Sequence, residues 1–459
     1  MRHGAPLDSR PSFSRPQETS PMTLLRFNPA GALDCANGLS AERLDSLGTR
    51  LAAARDQLSE SDGDAFHNTL RYPEKLLTDY EAKRENSELG RVFRVANRLH
   101  DHLDAVAVVG EQATLLAPSA LMQACCEPFH NELSRAARGS KPRLYFSAAS
   151  LDNDAVEGLL RRLATGGDST HAAEQRYGLV AIDSPDNHAL ASQATAVSMG
   201  LIGEQLTAAH GDAAAKWIPK LMIPVSPAKG PVRAMADHYH CARDFQFDRE
   251  RGGPLGLYSA AHLLPAALLG LDCIQLLVGA AAMNEHFQKS SFADNAVLQF
   301  AAVHWASVLA EAHYCNGLRV WNPALGGMAS WCGRVLPMQP VGLESPPGRG
   351  VIHHLCVDAP RTDPLPAPNF LSGRPLTGTT SATSPLDEAG EAPTLPDLMK
   401  DAIAAKELEE SGAGQASTRL TLPRIDTHSL GQLYQFIWLA RECLTAVHPR
   451  DGDHKLPTT

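Results

Sequence analysis

The sequence predicts an α/β protein: two three-layer α/β/α domains with parallel sheets, plus helical N- and C-terminal segments. Three observations predict it. Short continuous apolar runs recur at VAVVG (106–110), RLYFSA (143–148), YGLVAID (177–183) and KLMIPVS (220–226), the signature of strands buried on both faces. Helix-length segments separate the runs, and strands alternating with helices imply β-α-β units and a parallel sheet. A second cycle then follows, with strand candidates LRVW (318–321) and VIHHLCVD (351–358).

The elements follow in order. Residues 1–22, rich in Pro and Ser and lacking an apolar h-region, read as a disordered tail or an over-long gene start, not a secretory signal. The stretch from TLLRFNPAGAL at Thr23 looks like a real beginning. From Ser40 to His102 the pattern is amphipathic and helical, so 23–102 is assigned as an N-terminal helical segment. Residues 103–236 are the first α/β domain and 237–365 the second. The second opens on a helix at 255–271 and continues through LDCIQLLVGAAAMNEHF and DNAVLQFAAVHWASVLAEA, both helical. Pro, Ser, Thr and Gly dominate 366–396, read as a linker. A helix at 397–410, a strand-like TRLTLPRI (418–425) and a helix at 428–447 make up the C-terminal segment, 397–459.

Composition narrows the partners. The 459 residues carry a formal net charge of −10, which argues against nucleic-acid and anionic-membrane partners, since both want basic surface. A small anionic substrate stays open, because it needs only a local positive pocket. The longest apolar runs, such as LLPAALLGL at 263–271, fall short of the ~20 residues a membrane span needs. Nine cysteines with no C-x-x-C pair read as reduced, mostly buried thiols of a cytoplasmic protein.

Two local patterns invite a chemical reading. In GGPLGLYSAAHLLPAALLGLD (252–272) two glycines lead into an apolar helix, the arrangement that often cradles a phosphate. Pro254 takes the third place, comfortable at a helix's first position but without an N–H. His238-Tyr239-His240-Cys241 would share a strand face at alternate positions. No complementary ligand set accompanies it, and no metal is assigned.

The wording and order of several stretches carry a resemblance: YPEKLLTDYEAKRENSELGRV, PFHNELSRAARGSKPRLYF, LYSAAHLLPAALLGLD, GAAAMNEHF and LTLPRIDTHSLGQLYQFIWLA. From about Thr23 to His448 the chain resembles the glucose-6-phosphate isomerase family, which is built from two sugar-isomerase (SIS-type) domains. The resemblance implies interconversion of glucose 6-phosphate and fructose 6-phosphate, a step of glycolysis and gluconeogenesis. It further implies a sugar-phosphate substrate, no cofactor and no metal, a homodimer and a cytoplasmic location. That chemistry needs loops to hold a dianion, a carboxylate base, a cation for the enediolate, and a His, usually with a Lys, to open the ring.

Against the family's patterns the chain departs repeatedly. A loop like G-I-G-G-S becomes Gly110-Glu111-Gln112-Ala113-Thr114, leaving Gly110 and the Thr114 hydroxyl as binding candidates. A loop like S-K-S-G-G-T becomes Asp183-Ser184-Pro185-Asp186-Asn187-His188. Ser184 is the binding candidate there, and a plain turn with an N-cap is the competing reading. G-G-R becomes Gly252-Gly253-Pro254: the two glycines stay candidates, the Arg is gone, and Arg249 and Arg251 read either as replacements or as a solvated turn. Glu344, in Leu343-Glu344-Ser345, is the candidate base. His353 and His354, on an alternating segment with one facing in and one out, are the candidate histidines. Lys455 is the candidate ring-opening lysine. The expectation is a weakly active or inactive member of the family. The alternatives are an active aldose–ketose isomerase using Glu344, His353 or His354 and Lys455, and a binding module for a non-phosphorylated sugar or metabolite.

Overall fold

The apolar runs pair into two five-stranded sheets in the computed structural model, which describes residues 23–33, 39–60, 70–100, 102–165, 177–184, 189–247, 255–310, 316–345, 350–367 and 393–447. The N-terminal part holds β1 (Arg26–Asn28), α1 (Ala30–Leu33), α2 (Ala41–Glu60), α3 (Tyr72–Lys83) and α4 (Glu88–His100). Helix α4 buries Leu89, Val92, Val95, Ala96 and Leu99, one stripe at helical spacing.

The first sheet is laid down by β2 (Ala105–Gly110), α5 (Gln112–Cys125), β3 (Arg143–Ala148), α6 (Asn153–Thr165), β4 (Tyr177–Ile182), α7 (Ala189–His210), α8 (Ala214–Leu221), β5 (Met222–Ser226), α9 (Pro231–His238) and β6 (Phe245–Gln246). All its pairings are parallel, in the order β3-β2-β4-β5-β6. Strands β2 and β4 are buried at every residue, because helices cover both faces. Strand β6 carries this sheet past residue 236.

The second sheet takes β7 (Asn316–Val320), β8 (Met338–Pro340), β9 (Ile352–Ala359) and β10 (Ser417–Arg424), with β1 antiparallel on its edge. Between its strands and before them run α10 (Ala260–Leu268), α11 (Cys273–Lys289), α12 (Ala296–Ala310), α13 (Gly326–Val335) and α14 (Leu395–Gly412); α15 (Thr427–Val447) follows. The order β8-β7-β9-β10 repeats that of β3-β2-β4-β5, so each sheet has its strand order reverse between the first and third strands.

Side-chain caps fix several helix starts. Ser259 accepts from the Ala261 N–H, and Asp272 from the Gln275 N–H. Thr394 and Asp397 form a capping box that begins α14 at Leu395, two residues before the expected start. An isolated bridge between Pro366 and Thr394 joins the ends of the segment read as a linker. The expected helix over 255–271 is shorter, and 255–259 are turns. Residues 238–241 are not a strand: His238 ends α9, and His240 sits at φ 54°. No helix among the described residues is long and apolar enough to cross a membrane.

Candidate functional site

In an open parallel sheet, ligands settle outside the carboxyl ends of the strands where the strand order reverses. In the first sheet that place is the crevice between the ends of β2 and β4. Gly110, Glu111, Asp183 and Ser184 lie at those strand ends.

Gly110 is required by packing. A Cβ there would lie 2.7 Å from the Ile182 carbonyl oxygen and 3.1 Å from the Ile182 Cβ, both on the neighbouring strand β4. Glu111 is the N-cap residue of α5, and its side chain makes no cap hydrogen bond. Instead, the Ser184 hydroxyl donates to Glu111 Oε2 at 2.6 Å, tying the two loops across the crevice. Thr114 is buried, and its hydroxyl donates to the Glu111 carbonyl at 2.8 Å. Its hydrogen therefore serves the helix's first turn.

Behind Ser184 lies a second carboxyl group. Asp183, 1% exposed, accepts from its neighbour's N–H at 2.8 Å and from the Ser192 hydroxyl of α7. Burial raises its pKa, partly offset by the Ser192 and Ser184 hydrogen bonds and by Arg233. Among the described residues Asp183 Oδ2 and the buried Arg233 Nη1 have no hydrogen-bond partner. Neither Ser192 nor Arg233 was distinctive in the sequence; each enters the site only through the crossing of α7 and α9 over the sheet.

The corresponding crevice of the second sheet lies between Trp321 and Pro360. Arg361 leaves it to donate to the Ala124 and Cys126 carbonyls at 2.9 and 3.2 Å. These are the last carbonyls of α5, where a cation is favoured.

The candidate acid–base residues are dispersed. Glu344 sits exposed in the turn after the edge strand β8. His353 and His354 are both 0% exposed. The expectation of one outward-facing ring fails because helices cover both faces of the sheet. His353 Nδ1 meets the Thr418 hydroxyl at 2.7 Å and its Nε2 meets His304 Nδ1 at 3.3 Å. Burial, with His304 and His354 nearby, pushes its pKa well down. On the other face Trp321 donates to His354 Nδ1 at 3.0 Å, and His354 Nε2 meets Glu410 Oε2 at 2.7 Å. A ring whose Nδ1 accepts is neutral and carries its proton on Nε2.

Glu410 also pairs with the buried Arg319. Burial pushes the Glu410 carboxyl up, but the His354 and Arg319 hydrogen bonds outweigh it and hold the pKa below the usual range. Arg319 Nε donates to the Gly342 carbonyl at 3.2 Å, so the turn bearing Glu344 is anchored to this buried chain. The sequence reading passed over Arg319 and Glu410; an Arg inside the apolar run LRVW was the available signal. Gly252, Gly253, Lys455, Arg249, Arg251 and residues 185–188 lie outside the described residues.

No family model matches the chain. Among solved structures, a hypothetical protein from Thermus thermophilus superposes with a TM-score of 0.69 at 18% identity, over 92% of this chain and 94% of the other. A glucose-6-phosphate isomerase from Chlamydia trachomatis superposes with a TM-score of 0.62 at 12% identity, over 89% and 82%. These likenesses show the fold. Curated glucose-6-phosphate isomerases align in sequence as well. That of Listeria monocytogenes serotype 4b is 25% identical over 281 residues, 61% of this chain and 57% of the relative. That of Rubrobacter xylanophilus is 27% identical over 310 residues, 68% and 64%. Sequence and fold together support assignment of the chain to the glucose-6-phosphate isomerase family. It matches less than two thirds of the length of these relatives. Its two cores are the sugar-isomerase type of domain.

Proposed function

We propose that this family member has weak or no glucose-6-phosphate isomerase activity. The hydrogen bond from Ser184 to Glu111 carries the reading: the crevice where a phosphate would meet the start of α5 already holds the protein's own carboxylate. A helix N-terminus favours an anion by about 1 kcal/mol at most sites. A like-charge pair 4 Å apart costs about 4 kcal/mol at an effective dielectric near 20. Repulsion wins, and Asp183 behind Ser184 adds to it. On the catalytic side, His353 and His354 are spent on interior hydrogen bonds.

A second reading keeps the crevice as a binding site. Glu111, half-buried at the start of α5, accepts hydrogen bonds, which suits hydroxyls of a non-phosphorylated sugar or metabolite, while Asp183 stays buried behind Ser184. We further place the chain in the cytoplasm as a homodimer. Supporting this, the described cysteines are free thiols. Exposed Leu190, Val197 and Leu201 of α7 form an apolar stripe that a second copy would cover.

The test is a coupled assay of purified protein with fructose 6-phosphate. Turnover below about 0.01 s⁻¹ is expected, against roughly 1–1000 s⁻¹ for working enzymes. Turnover in that working range would overturn the proposal and restore an active isomerase. Thermal shift with glucose and glucose 6-phosphate separates the second reading: stabilisation by glucose alone supports it.

A further inference from the structure

Across β7, β9 and β10, residues Arg319, His354 and Arg419 stand in register. Helix α14 meets this row with Glu410, on Arg319 and His354, and with Glu407, on Arg419. Toward the β1 edge the sheet face opens. A cavity of about 380 Å³ lies there, lined by Arg26 and Asn28 of β1, Cys356 and Asp358 of β9, Arg419 and Thr421 of β10, and Lys400 and Ile403 of α14. It shares no residue with the first-sheet crevice, so it stands independently of the function proposed above.

The charges in this cavity do not cancel. Arg26 is paired with Asp358 at 2.5 Å, and Arg419 with Glu407 through both nitrogens. Lys400 makes no ion pair within 4 Å among the described residues, and Asp397, three residues earlier on α14, acts on it only at longer range. The lining itself therefore sets three cations against one carboxylate, Asp358, with Glu407 on Arg419 and Asp397 near Lys400 standing outside it, in a chain whose formal net charge is −10. The Thr421 hydroxyl and the Asn28 amide nitrogen add donors; Asn28 Oδ1 already accepts from the Ala30 N–H at 3.0 Å. Buried Cys356 and Ile403 give the floor apolar surface. Volume, donors and surplus positive charge match a small-molecule site, with Arg able to grip two anion oxygens at once.

We propose that this cavity binds a small metabolite through a phosphate or carboxylate group. Such an anion is held by Lys400 and Arg26, with Thr421 and Asn28 donating from the strand edges.

The experiment is calorimetric titration of the full chain with inorganic phosphate and with citrate, glucose serving as the neutral control. Lys400→Ala and Arg26→Ala both remove exposed side chains, so the fold is retained. Saturable binding of phosphate or citrate is expected, weakened about tenfold by Lys400→Ala, with no heat from glucose. Absence of binding by both anions, or anion binding unchanged in Lys400→Ala, overturns the site. Anion binding that changes with Ser184→Ala but not with Lys400→Ala locates it in the first-sheet crevice and overturns it too.

Discussion

At the level of single residues, the feature with the largest energetic stake is the buried pair Arg319–Glu410, each 0% exposed. A buried ion pair adds little over apolar packing, but deleting one partner strands the other charge. Glu410→Gln should therefore destabilise by about 3–5 kcal/mol, read as a lowered urea midpoint at unchanged slope. Removing both charges with Arg319→Met and Glu410→Leu should recover most of that loss. If Glu410→Gln costs no more than the double variant, the interior charge is not what matters. The pair was invisible to local sequence patterns because its members lie 91 positions apart. The Ser184–Glu111 bond, spanning 73 positions, was half legible: the entry of Glu111 into a glycine loop showed in the sequence, its partner did not.

Among elements, those with runs of their own were legible and those without were not. Strands β2, β4 and β5 carry continuous apolar runs because helices bury both faces; β3, RLYFSA at the sheet edge, buries only Leu144 and was legible from its spacing between helices. Strands β1 (RFN), β6 (FQ) and β8 (MQP) are edge pieces of two or three residues with no period to read. Helix crossings are likewise hidden until small residues are seen in place. Helices α11 and α15 approach so closely that a Cβ on Gly431 would lie 1.9 Å from the Leu276 carbonyl oxygen, and one on Gly279 2.0 Å from that of His428. Backbone atoms cannot rotate away. Gly431→Ala should cost about 3 kcal/mol, the upper end for overpacking, although alanine is the better helix former by about 1 kcal/mol. At Gly412 of α14 nothing lies within 4 Å, so Gly412→Ala should be neutral or stabilising by up to about 1 kcal/mol. Chemical denaturation of the two variants decides it; equal effects would mean the crossing is not tight.

For the whole molecule, titratable side chains are buried inside both cores, and acid should expose the consequence. Three fully buried imidazoles carry the largest shifts, and partly buried His130, His210, His286 and His428, also lowered by burial, add to the response. Desolvation lowers the pKa of His262 and His304 from the usual 6.5 to about 3, and that of His353 well below 6.5. A depressed folded-state pKa means the unfolded chain binds the proton first. The stability these groups contribute is complete above about pH 6.5 and is lost as pH falls toward about 3. Each group costs about 1.4 kcal/mol per pH unit in that window, so three together give a slope of about 4 kcal/mol per unit. Glu410, with its lowered pKa, adds to the loss only below about pH 4.5. Asp183 and Glu74, with raised values, act oppositely, in a window that reaches upward from their ordinary values, and offset part of the loss. By pH 5 the imidazoles alone remove about 6 kcal/mol, comparable with the 5–15 kcal/mol that holds a typical domain. Unfolding free energies measured by urea titration from pH 7.5 to 5 should fall along that slope. His262→Asn, which retains an acceptor for the Tyr258 N–H, should reduce the slope by about 1.4 kcal/mol per pH unit. Stability that stays flat from pH 6.5 to 5 would mean these rings take up protons in the folded state, and the interior drawn around them would be wrong.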